Sequence, residues 1–263
     1  MTCVKMRPVA PSKITSYAPM SSIPSYTLQY NTPAMNYEQA RFNMIEQQIR
    51  PWEVLDSQVL SLLAVVRRED FVPLACKALA FVDMEIPLPP QQNPSQCMLA
   101  PKVEARILQD LAVQKHEKVL EIGTGSGYMA ALLAHRAQQV ISLEIEPILT
   151  ETARKNLQKA GIYNAEVRVA DGAANLAEAV SSNGALRGPF DVIVLSGSVA
   201  VVPADLLSQL KIGGRLSAIV GFEPMMRATL ITRVGKDAWR TTAAWDTVVP
   251  RLLNFPEPSR FSF

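Results

Sequence analysis

The chain has 263 residues, with 26 Lys and Arg against 24 Asp and Glu, and its formal net charge is +2. This balance predicts neither a basic stripe for nucleic acid nor a polybasic patch for a membrane surface, and no apolar run approaches the ~20 residues that span a bilayer. The three cysteines, Cys3, Cys76 and Cys97, form no Cys-x-x-Cys pair, which argues against a disulfide framework or a zinc site. We therefore expect reduced thiols, no bound metal and a cytoplasmic location.

The N-terminal stretch differs in composition from the rest of the chain. Residues 1–34 are rich in Pro, Ser, Tyr and Thr and have no hydrophobic period, which predicts a disordered leader. The apolar core of a secretory signal is missing from it. Because a helical pattern of mixed charge begins at Met35, we hypothesise that the native chain starts at Met35 rather than at Met1.

A helical, substrate-side segment is predicted at residues 35–111. Apolar residues recur at helical spacing over 37–49, and Pro51 ends this first helix. Asp56 can cap a second helix. The remaining elements of the segment are an irregular, proline-rich stretch at 74–98 and a third helix from Pro101 to about Leu111.

Residues 112–249 alternate between short apolar runs and helical patterns. This alternation predicts an α/β fold, a doubly wound and mostly parallel Rossmann-like sheet with helices on both faces. The tail, residues 250–263, is interpreted as an extended segment packed on the surface. The predicted strands are Lys118–Ile122, Val140–Leu143, Ala165–Val169, Phe190–Leu195 and Arg215–Val220, with Ala228–Val234 and Thr241–Val249 as a possible antiparallel pair, and the predicted helices between them are Tyr128–Arg136, Thr150–Ala160, Leu176–Val180 and Pro203–Leu210.

A glycine-rich turn joins the first predicted strand of this region to its helix. Gly123, Gly125 and Gly127 stand at alternate positions in Glu-Ile-Gly-Thr-Gly-Ser-Gly-Tyr. Glycine allows positive φ and lets backbone lie against a ligand beside a helix N-terminus. The spacing departs from the Gly-x-Gly-x-x-Gly of dinucleotide sites. It resembles motif I of S-adenosylmethionine (SAM)-dependent methyltransferases; the alternative is a strand–helix corner without a ligand.

Acidic residues follow the ends of three predicted strands, where ligands of doubly wound sheets bind. Glu144 can accept hydrogen bonds from both ribose hydroxyls, and Asp171, followed by Gly172, can accept one from the adenine amino group. Glu121 would orient the turn or the amino-acid part of the ligand. With the turn residues Gly123, Thr124, Gly125 and Gly127, these form the predicted SAM site; the alternatives are a solvated loop carboxylate for Glu144 and an Asp-Gly turn for Asp171.

The motifs around the turn resemble those of the protein-L-isoaspartate O-methyltransferase family over roughly residues 38–222. The resemblance implies that family's fold, a SAM cofactor and repair-type methylation of isoaspartyl carboxylates in damaged proteins or peptides. A carboxylate acceptor is already ionised at neutral pH, which agrees with the lack of a candidate catalytic His or Cys pair. The matching pieces are Met44–Ile49, Val66–Pro73, Ile86–Pro89, Val119–Tyr128 with Ala130-Ala131, Ala170–Gly172, Pro189–Val194, Pro203 and Gln209–Arg215.

One departure from the family pattern lies on the substrate side. Family members usually carry Gly-Gln-Thr-Ile-Ser-x-Pro before the third helix, where this chain has Ser95-Gln96-Cys97-Met98-Leu99-Ala100-Pro101. Cys97 replaces the Thr and Leu99 replaces the Ser, and a missing hydrogen bond to a charged group costs about 1.5–3 kcal/mol. Ser95 could substitute from a shifted loop. A second difference is Ser196-Gly197-Ser198 after the fourth predicted strand. Together the two differences leave two alternatives to isoaspartyl methylation: a methyltransferase with another substrate, or a SAM-binding protein without turnover.

Overall fold

A seven-stranded sheet organises the structure. The computed structural model describes residues 35–90, 93, 95–174 and 188–258; the predicted leader, the predicted helix at 176–180 and the phenylalanines at 261 and 263 lie outside these residues. The sheet order is β5-β4-β3-β6-β7-β8-β9. The strands are β1 (Ile86–Pro87) and β2 (Cys97–Met98), which form a separate hairpin, and β3 (Lys118–Ile122), β4 (Gln139–Glu144), β5 (Ala165–Val169), β6 (Phe190–Val199), β7 (Leu210–Phe222), β8 (Met225–Gly235) and β9 (Ala238–Asp246).

The predicted α/β class and the mostly parallel sheet are confirmed. Strands β5, β4, β3, β6 and β7 run parallel, and β8 and β9 add the antiparallel pair. In the middle of the sheet Leu120 pairs with Ile141 on one side and Ile193 on the other, and all three are almost fully buried. Such unbroken apolar strands occur where helices cover both faces of a sheet.

Strand β7 begins five residues before the predicted strand Arg215–Val220 and includes Gly213 and Gly214. The strand begins at Leu210, which pairs with Phe190, and the register then shifts so that Val192 pairs with Arg215. A Cβ on Gly214 would lie 2.9 Å from the carbonyl oxygens of Asp191 and Lys211. The glycine pair therefore forms a bulge inside the strand, and this is why the helix predicted for 203–210 is shorter.

Six α-helices and several short 3₁₀ or π turns complete the described part of the chain. The helix predicted over 37–49 changes at Ile45 into a π-helical turn, and a 3₁₀ turn follows at Arg50–Trp52. Asp56 caps α2 as predicted, since its Oδ1 accepts the Gln58 N–H at 2.7 Å. The helices are α1 (Tyr37–Met44), α2 (Ser57–Val65), α3 (Pro101–Leu111), α4 (Tyr128–Arg136), α5 (Pro147–Lys159) and α6 (Ala204–Ser208).

The C-terminal tail runs along β6, whereas we predicted an extended segment on the surface. Ser198 donates its N–H to the Pro250 carbonyl at 2.8 Å, and Leu252 donates to the Ser198 carbonyl at 2.9 Å. The Leu252 side chain lies 2.9 Å from the position that a Cβ on Gly123 would take. Leu252 and the buried Phe255 join the core on that side of the sheet, because hydrogen bonding to β6 draws the tail inward.

A buried arginine holds the loop that precedes α3. The Arg68 side chain is fully buried, forms an ion pair with Glu104 and stacks over the Tyr128 ring with its guanidinium carbon 5.0 Å from the centroid. Its Nη2 donates to the Leu99 carbonyl at 2.7 Å. Burial raises the pKa of the Glu104 carboxyl, an effect that the Arg68 charge opposes. Arg68 therefore fixes the backbone of the segment in which Cys97 and Leu99 lie.

A second buried network fixes the glycine turn. Glu121 is fully buried at the end of β3 and accepts hydrogen bonds from Ser142 Oγ at 2.6 Å and Ser196 Oγ at 2.8 Å. Ser142 also shares a short hydrogen bond with the Thr124 hydroxyl. Burial raises the pKa of Glu121 to about 8, although the two serine hydroxyls lower it. Strands β3, β4 and β6 are thereby tied to the turn through one carboxyl group.

Replacing Arg68 with Met is expected to destabilise the protein by about 3–5 kcal/mol, because Glu104 would be left buried without its cation. Urea unfolding of the single variant and of Arg68→Met/Glu104→Leu measures the coupling between the two residues. The double variant should recover most of the lost free energy of unfolding. Arg67→Met, at the exposed neighbouring arginine, is the control and should change it by less than ~1 kcal/mol. Equal losses in the Arg68 and Arg67 variants would contradict this role.

The pH dependence of stability should report the buried Glu121. The unfolded chain loses this proton near the ordinary pKa of 4.5, whereas the folded protein keeps it until about pH 8. The stabilisation that the protonated Glu121 carboxyl gives to the folded protein is therefore complete below pH 4.5 and is lost as the pH rises towards 8. The Tm of Glu121→Gln, relative to that of the wild type, should therefore increase as the pH is raised from 5 to 8. Glu151→Gln, on the exposed side of α5, is the control, and parallel pH curves for wild type and Glu121→Gln would contradict the assignment.

Candidate active site at the carboxyl ends of the parallel strands

A cleft opens where β3, β4 and β5 end, and it encloses about 650 Å³ of empty space counting its open mouth. It has three walls: the glycine turn with the two strand-end acids, the loop before α3, and the C-terminal tail. Predicted site residues in its lining are Gly123, Gly125, Glu144, Asp171, Gly172, Ser95 and Cys97, and the other lining residues include Leu88, Gln96, Ile122, Leu143, Ile145, Leu149, Ser196, Arg251, Leu252, Leu253 and Phe255.

The glycine turn presents its backbone to this cleft. Gly123 and Gly125 have φ values of +93° and +55°, in the left-handed region that side chains rarely adopt. Gly123 donates its N–H to the Leu143 carbonyl at 2.8 Å. A Cβ on Gly125 would lie 3.2 Å from Leu88. The turn therefore packs closely against the loop that forms the opposite wall, and a residue with a side chain would not fit at Gly125.

Glu144 and Asp171 line the cleft at neighbouring strand ends, as predicted. Glu144 accepts the Gly125 N–H at 2.8 Å and the Glu146 N–H at 3.1 Å, so it also holds the turn. Burial raises the pKa of the Glu144 carboxyl, which these N–H groups oppose. Asp171 accepts the Ala173 N–H at 2.9 Å and the Asn254 side-chain amide at 2.7 Å. Two carboxylates therefore offer hydrogen-bond acceptors along the same side of the cleft.

Glu146, the competitor of Glu144 in sequence, has a different role. Its Oε1 accepts the Ile148 N–H at 3.3 Å and caps α5. Glu146 is absent from the described lining of the cleft. The structure therefore separates the roles of the two acids: the Glu144 side chain binds the glycine turn, whereas the Glu146 side chain caps α5.

Three residues of the predicted cofactor set stand behind the lining rather than in it. Glu121 is fully buried in its serine network, which corresponds to the first of its two predicted roles, orienting the turn. Thr124 belongs to that network through Ser142. Gly127 begins α4, and a Cβ there would lie 3.2 Å from the Cβ of Ala153. These residues shape the turn by packing and hydrogen bonding.

The loop before α3 forms the wall opposite the two acids. Ser95 Oγ donates to Asn93 Oδ1 at 2.7 Å. Cys97 is half-buried, and burial, with Glu85 and Glu104 nearby, raises the pKa of its thiol to about 12. A thiol of this kind stays protonated near neutral pH and is a poor nucleophile. Leu99 is 6% exposed and packs in the core while its carbonyl binds Arg68.

Sequence reasoning did not find the lining residues that the tail contributes. Arg251, Leu252, Leu253 and Phe255 lie on the cleft, although the tail follows the last strand by only a few residues. Nothing in their spacing predicts this position, because it depends on pairing between the tail and β6. The available signal was the cluster of apolar residues in the tail, which an exposed segment would not need.

The described residues set limits on the chemistry of the site. Among them, no group of three or more His, Cys, Asp or Glu side chains is placed to hold a metal ion. None of the helices in the described ranges is both long and apolar enough to cross a membrane. What the cleft does offer is bare glycine backbone, paired acceptors, apolar side chains between them and a protonated thiol. This arrangement can bind and orient a polar, partly apolar small molecule and a second reactant beside it.

Comparison with known proteins identifies the family. The family model described as protein-L-isoaspartate(D-aspartate) O-methyltransferase matches residues 39–247. A protein-L-isoaspartate O-methyltransferase of Syntrophobacter fumaroxidans is 40% identical over 187 residues, which are 71% of this chain and 82% of that protein. One from Marinobacter nauticus is 36% identical over 224 residues, 85% of this chain and 97% of that protein.

A solved structure shows the same fold. It is that of a Plasmodium falciparum protein described as a protein-L-isoaspartate O-methyltransferase in complex with S-adenosyl-L-homocysteine. The TM-score is 0.66 at 18% sequence identity, and the match covers 83% of this chain and 98% of that one. Since the family model matches most of the chain and the sequence relatives align over most of both lengths, this protein belongs to the protein-L-isoaspartate O-methyltransferase family.

Proposed function

We propose that this protein transfers the methyl group of SAM to the free carboxylate of isoaspartyl residues in damaged proteins and peptides. The observation that carries the proposal is the single cleft in which bare glycine backbone, Glu144 and Asp171 face the loop before α3. Family membership supports the reaction type and the cofactor. The free thiols Cys76 and Cys97 agree with a reducing compartment, and we place the protein in the cytoplasm on that basis.

The cleft has the donor and acceptor groups that SAM requires. Glu144 would accept hydrogen bonds from the ribose hydroxyls, and Asp171 with Gly172 would hold the adenine amino group. Ile122, Leu143 and Leu149 supply apolar surface between the two acids. Gly123 and Gly125 line the cleft without side chains, so their backbone can contact a ligand directly. The residues present therefore fit the cofactor.

The reaction needs positioning more than proton transfer. When bound, SAM supplies a methyl group on a sulfonium; an acceptor oxygen forms the new C–O bond as the C–S bond breaks, and sulfur keeps the electron pair. An isoaspartyl carboxylate is ionised at neutral pH and needs no general base. The chain has to hold the two reactants in line, which accounts for a large share of such rate enhancements. We assign this holding to the walls of the cleft, with residues 35–111 on the substrate side and 112–249 on the cofactor side.

The substitution at Leu99 does not favour another substrate. Its side chain is almost fully buried and Arg68 fixes its carbonyl, and the residue borders a small inner cavity that shares Cys97, Gly123 and Ser196 with the cleft. Ser95 and Ser196 also line the cleft, but their hydroxyls already donate to Asn93 and Glu121. Support for the isoaspartyl substrate comes from the family relationship rather than from the geometry at Leu99.

Binding of SAM and S-adenosylhomocysteine should be in the micromolar range and should be lost in Gly125→Val. A valine at a φ of +55° is strained, and its Cβ would meet Leu88 while its methyl groups enter the cleft. Isothermal titration calorimetry measures both affinities. Gly161→Val is the control, because it also has positive φ but has open space around it. Failure of the wild type to bind either ligand would defeat the proposed function.

Methyl transfer should be seen with an isoaspartyl peptide and not with its aspartyl counterpart. Radiolabelled SAM and the two peptides measure the discrimination directly. Leu99→Ser should give no gain of activity and should lower stability by about 2–4 kcal/mol, because it removes a buried side chain and buries a hydroxyl. A wild type that methylates both peptides equally would contradict the assigned substrate, and activity that appears only in Leu99→Ser would contradict our interpretation of that position.

A further inference from the structure

A second cavity joins the cofactor cleft at its mouth. It is a groove that encloses about 910 Å³ by the same measure, and it shares Ser95, Arg251 and Leu253 with the cleft. One side is formed by residues 248–251 of the tail, and the other carries Glu85 and Glu223. The groove is open along its length, and it ends beside the loop before α3, so an extended chain lying in it would bring one residue to the mouth of the cleft.

Arg251 stands at the junction of the two cavities in a fixed orientation. Its Nη2 donates to the Gly221 carbonyl at 2.9 Å, and the guanidinium carbon lies 5.1 Å from the centre of the Phe222 ring. Its Nε lies 3.5 Å from Glu257 Oε1, at an exposed position. Stacking on Phe222 and the hydrogen bond to Gly221 set the plane of the guanidinium group. The direction of Nη1 is therefore fixed too.

The Nη1 group of Arg251 has a donor without an acceptor. It is buried, and within the described residues no hydrogen-bond partner is found for it. The other hydroxyl donors at the junction are already used, since Ser95 donates to Asn93 and Ser196 donates to Glu121. A buried charged N–H without a partner is unfavourable, and this indicates that the acceptor comes from a ligand.

The charges around the junction indicate what that ligand carries. Of the described residues that line either cavity, Arg251 is the one cation, and the other charged residues of these linings are Glu85, Glu144, Asp171 and Glu223; outside the linings, Glu257 lies 3.5 Å from its Nε. A substrate carboxylate entering such a site would be repelled by these acids unless a cation offset them. A guanidinium binds carboxylates through paired N–H groups in a fixed plane.

We propose that Arg251 binds the isoaspartyl carboxylate that accepts the methyl group, and that the groove holds the peptide chain on either side of it. The proposal rests on the proposed function and adds the residue that selects the carboxylate. Donation from Nη1 would hold one carboxylate oxygen and leave the other to face the cofactor. The charge of Arg251 would also exclude a neutral amide at that position, because an amide offers a weaker acceptor and no charge.

Two peptides that differ only at this group test the proposal. One contains isoaspartate, and the other carries a carboxamide in place of its free carboxylate. Both are titrated into the full chain saturated with S-adenosylhomocysteine. The wild type should prefer the carboxylate by roughly 10- to 100-fold, the range expected for a charge-assisted hydrogen bond. Arg251→Gln should reduce this preference to below about threefold, and the affinity of the variant for S-adenosylhomocysteine is measured alongside.

The control is Glu257→Gln, which removes the exposed partner of Arg251 and leaves its Nη1 in place; it should keep the wild-type preference. An unchanged preference in Arg251→Gln would overturn the proposal. Should Arg251→Gln lose S-adenosylhomocysteine binding, Arg251→Lys decides: a lysine keeps the charge without the planar fork, so an intermediate preference supports the proposal and a wild-type preference overturns it.

The same titrations separate this proposal from the function on which it rests. A wild type that binds S-adenosylhomocysteine but neither isoaspartyl nor aspartyl peptide would defeat the assigned substrate and the role of Arg251 together. A wild type that prefers the isoaspartyl over the aspartyl peptide, yet binds the carboxylate and carboxamide forms equally, would leave the substrate assignment standing and overturn the role of Arg251 alone.

Discussion

The site depends on a backbone constraint at the end of β3. The chain must leave the strand through left-handed conformations at Gly123, Gly125 and Gly127, which only glycine adopts without strain. This path leaves the N–H groups of the turn free to meet Leu143 and Glu144. It also brings the turn against both the loop before α3 and the tail. Every wall of the cleft is therefore positioned relative to these few residues.

Buried polar networks stabilise that path from behind. Glu121 joins β4 and β6 to β3 through Ser142 and Ser196, and Arg68 fixes the carbonyl of Leu99. Burying a carboxyl group is unfavourable, as the raised pKa of Glu121 shows. Such a network favours one arrangement of the turn and loop over others, since any alternative would leave a buried charge or hydroxyl without a partner. The geometry of the turn and loop at the cleft is therefore maintained by polar groups whose burial is itself unfavourable.

Local patterns predicted the elements whose structure is set by local chemistry. The bounds of β3, β5, α3 and α4 agree with the prediction, because short apolar runs end at turn residues and the apolar residues of α3 recur at helical spacing. The glycine turn and the two strand-end acids were found because parallel strands bring their carboxyl ends together. These features follow from the chain order alone and need no knowledge of distant contacts.

The features that sequence reasoning missed all depend on pairing between distant segments. The bulge at Gly213-Gly214 exists because β6 and β7 shift register, and a glycine pair alone is equally typical of a turn. The tail lines the cleft because its backbone binds Ser198 on β6. Leu99, a departure from the family pattern on the substrate side, has a buried side chain that borders an inner cavity beside the cleft. The type of a residue alone does not show which of its atoms face the cleft.

These errors have a common consequence for how specificity is encoded in the fold. The cofactor side is built from strand ends and a glycine turn, which any doubly wound sheet places in the same relation. The side that we assign to the acceptor is built from a loop and a tail whose positions depend on tertiary contacts, so its chemistry can move from one segment to another while the fold stays the same. In this chain a buried leucine stands in the loop, and a guanidinium from the tail reaches the same opening. Selection of the substrate therefore depends on the assembled cleft, in whose described lining Arg251 is the one cation, rather than on any single motif.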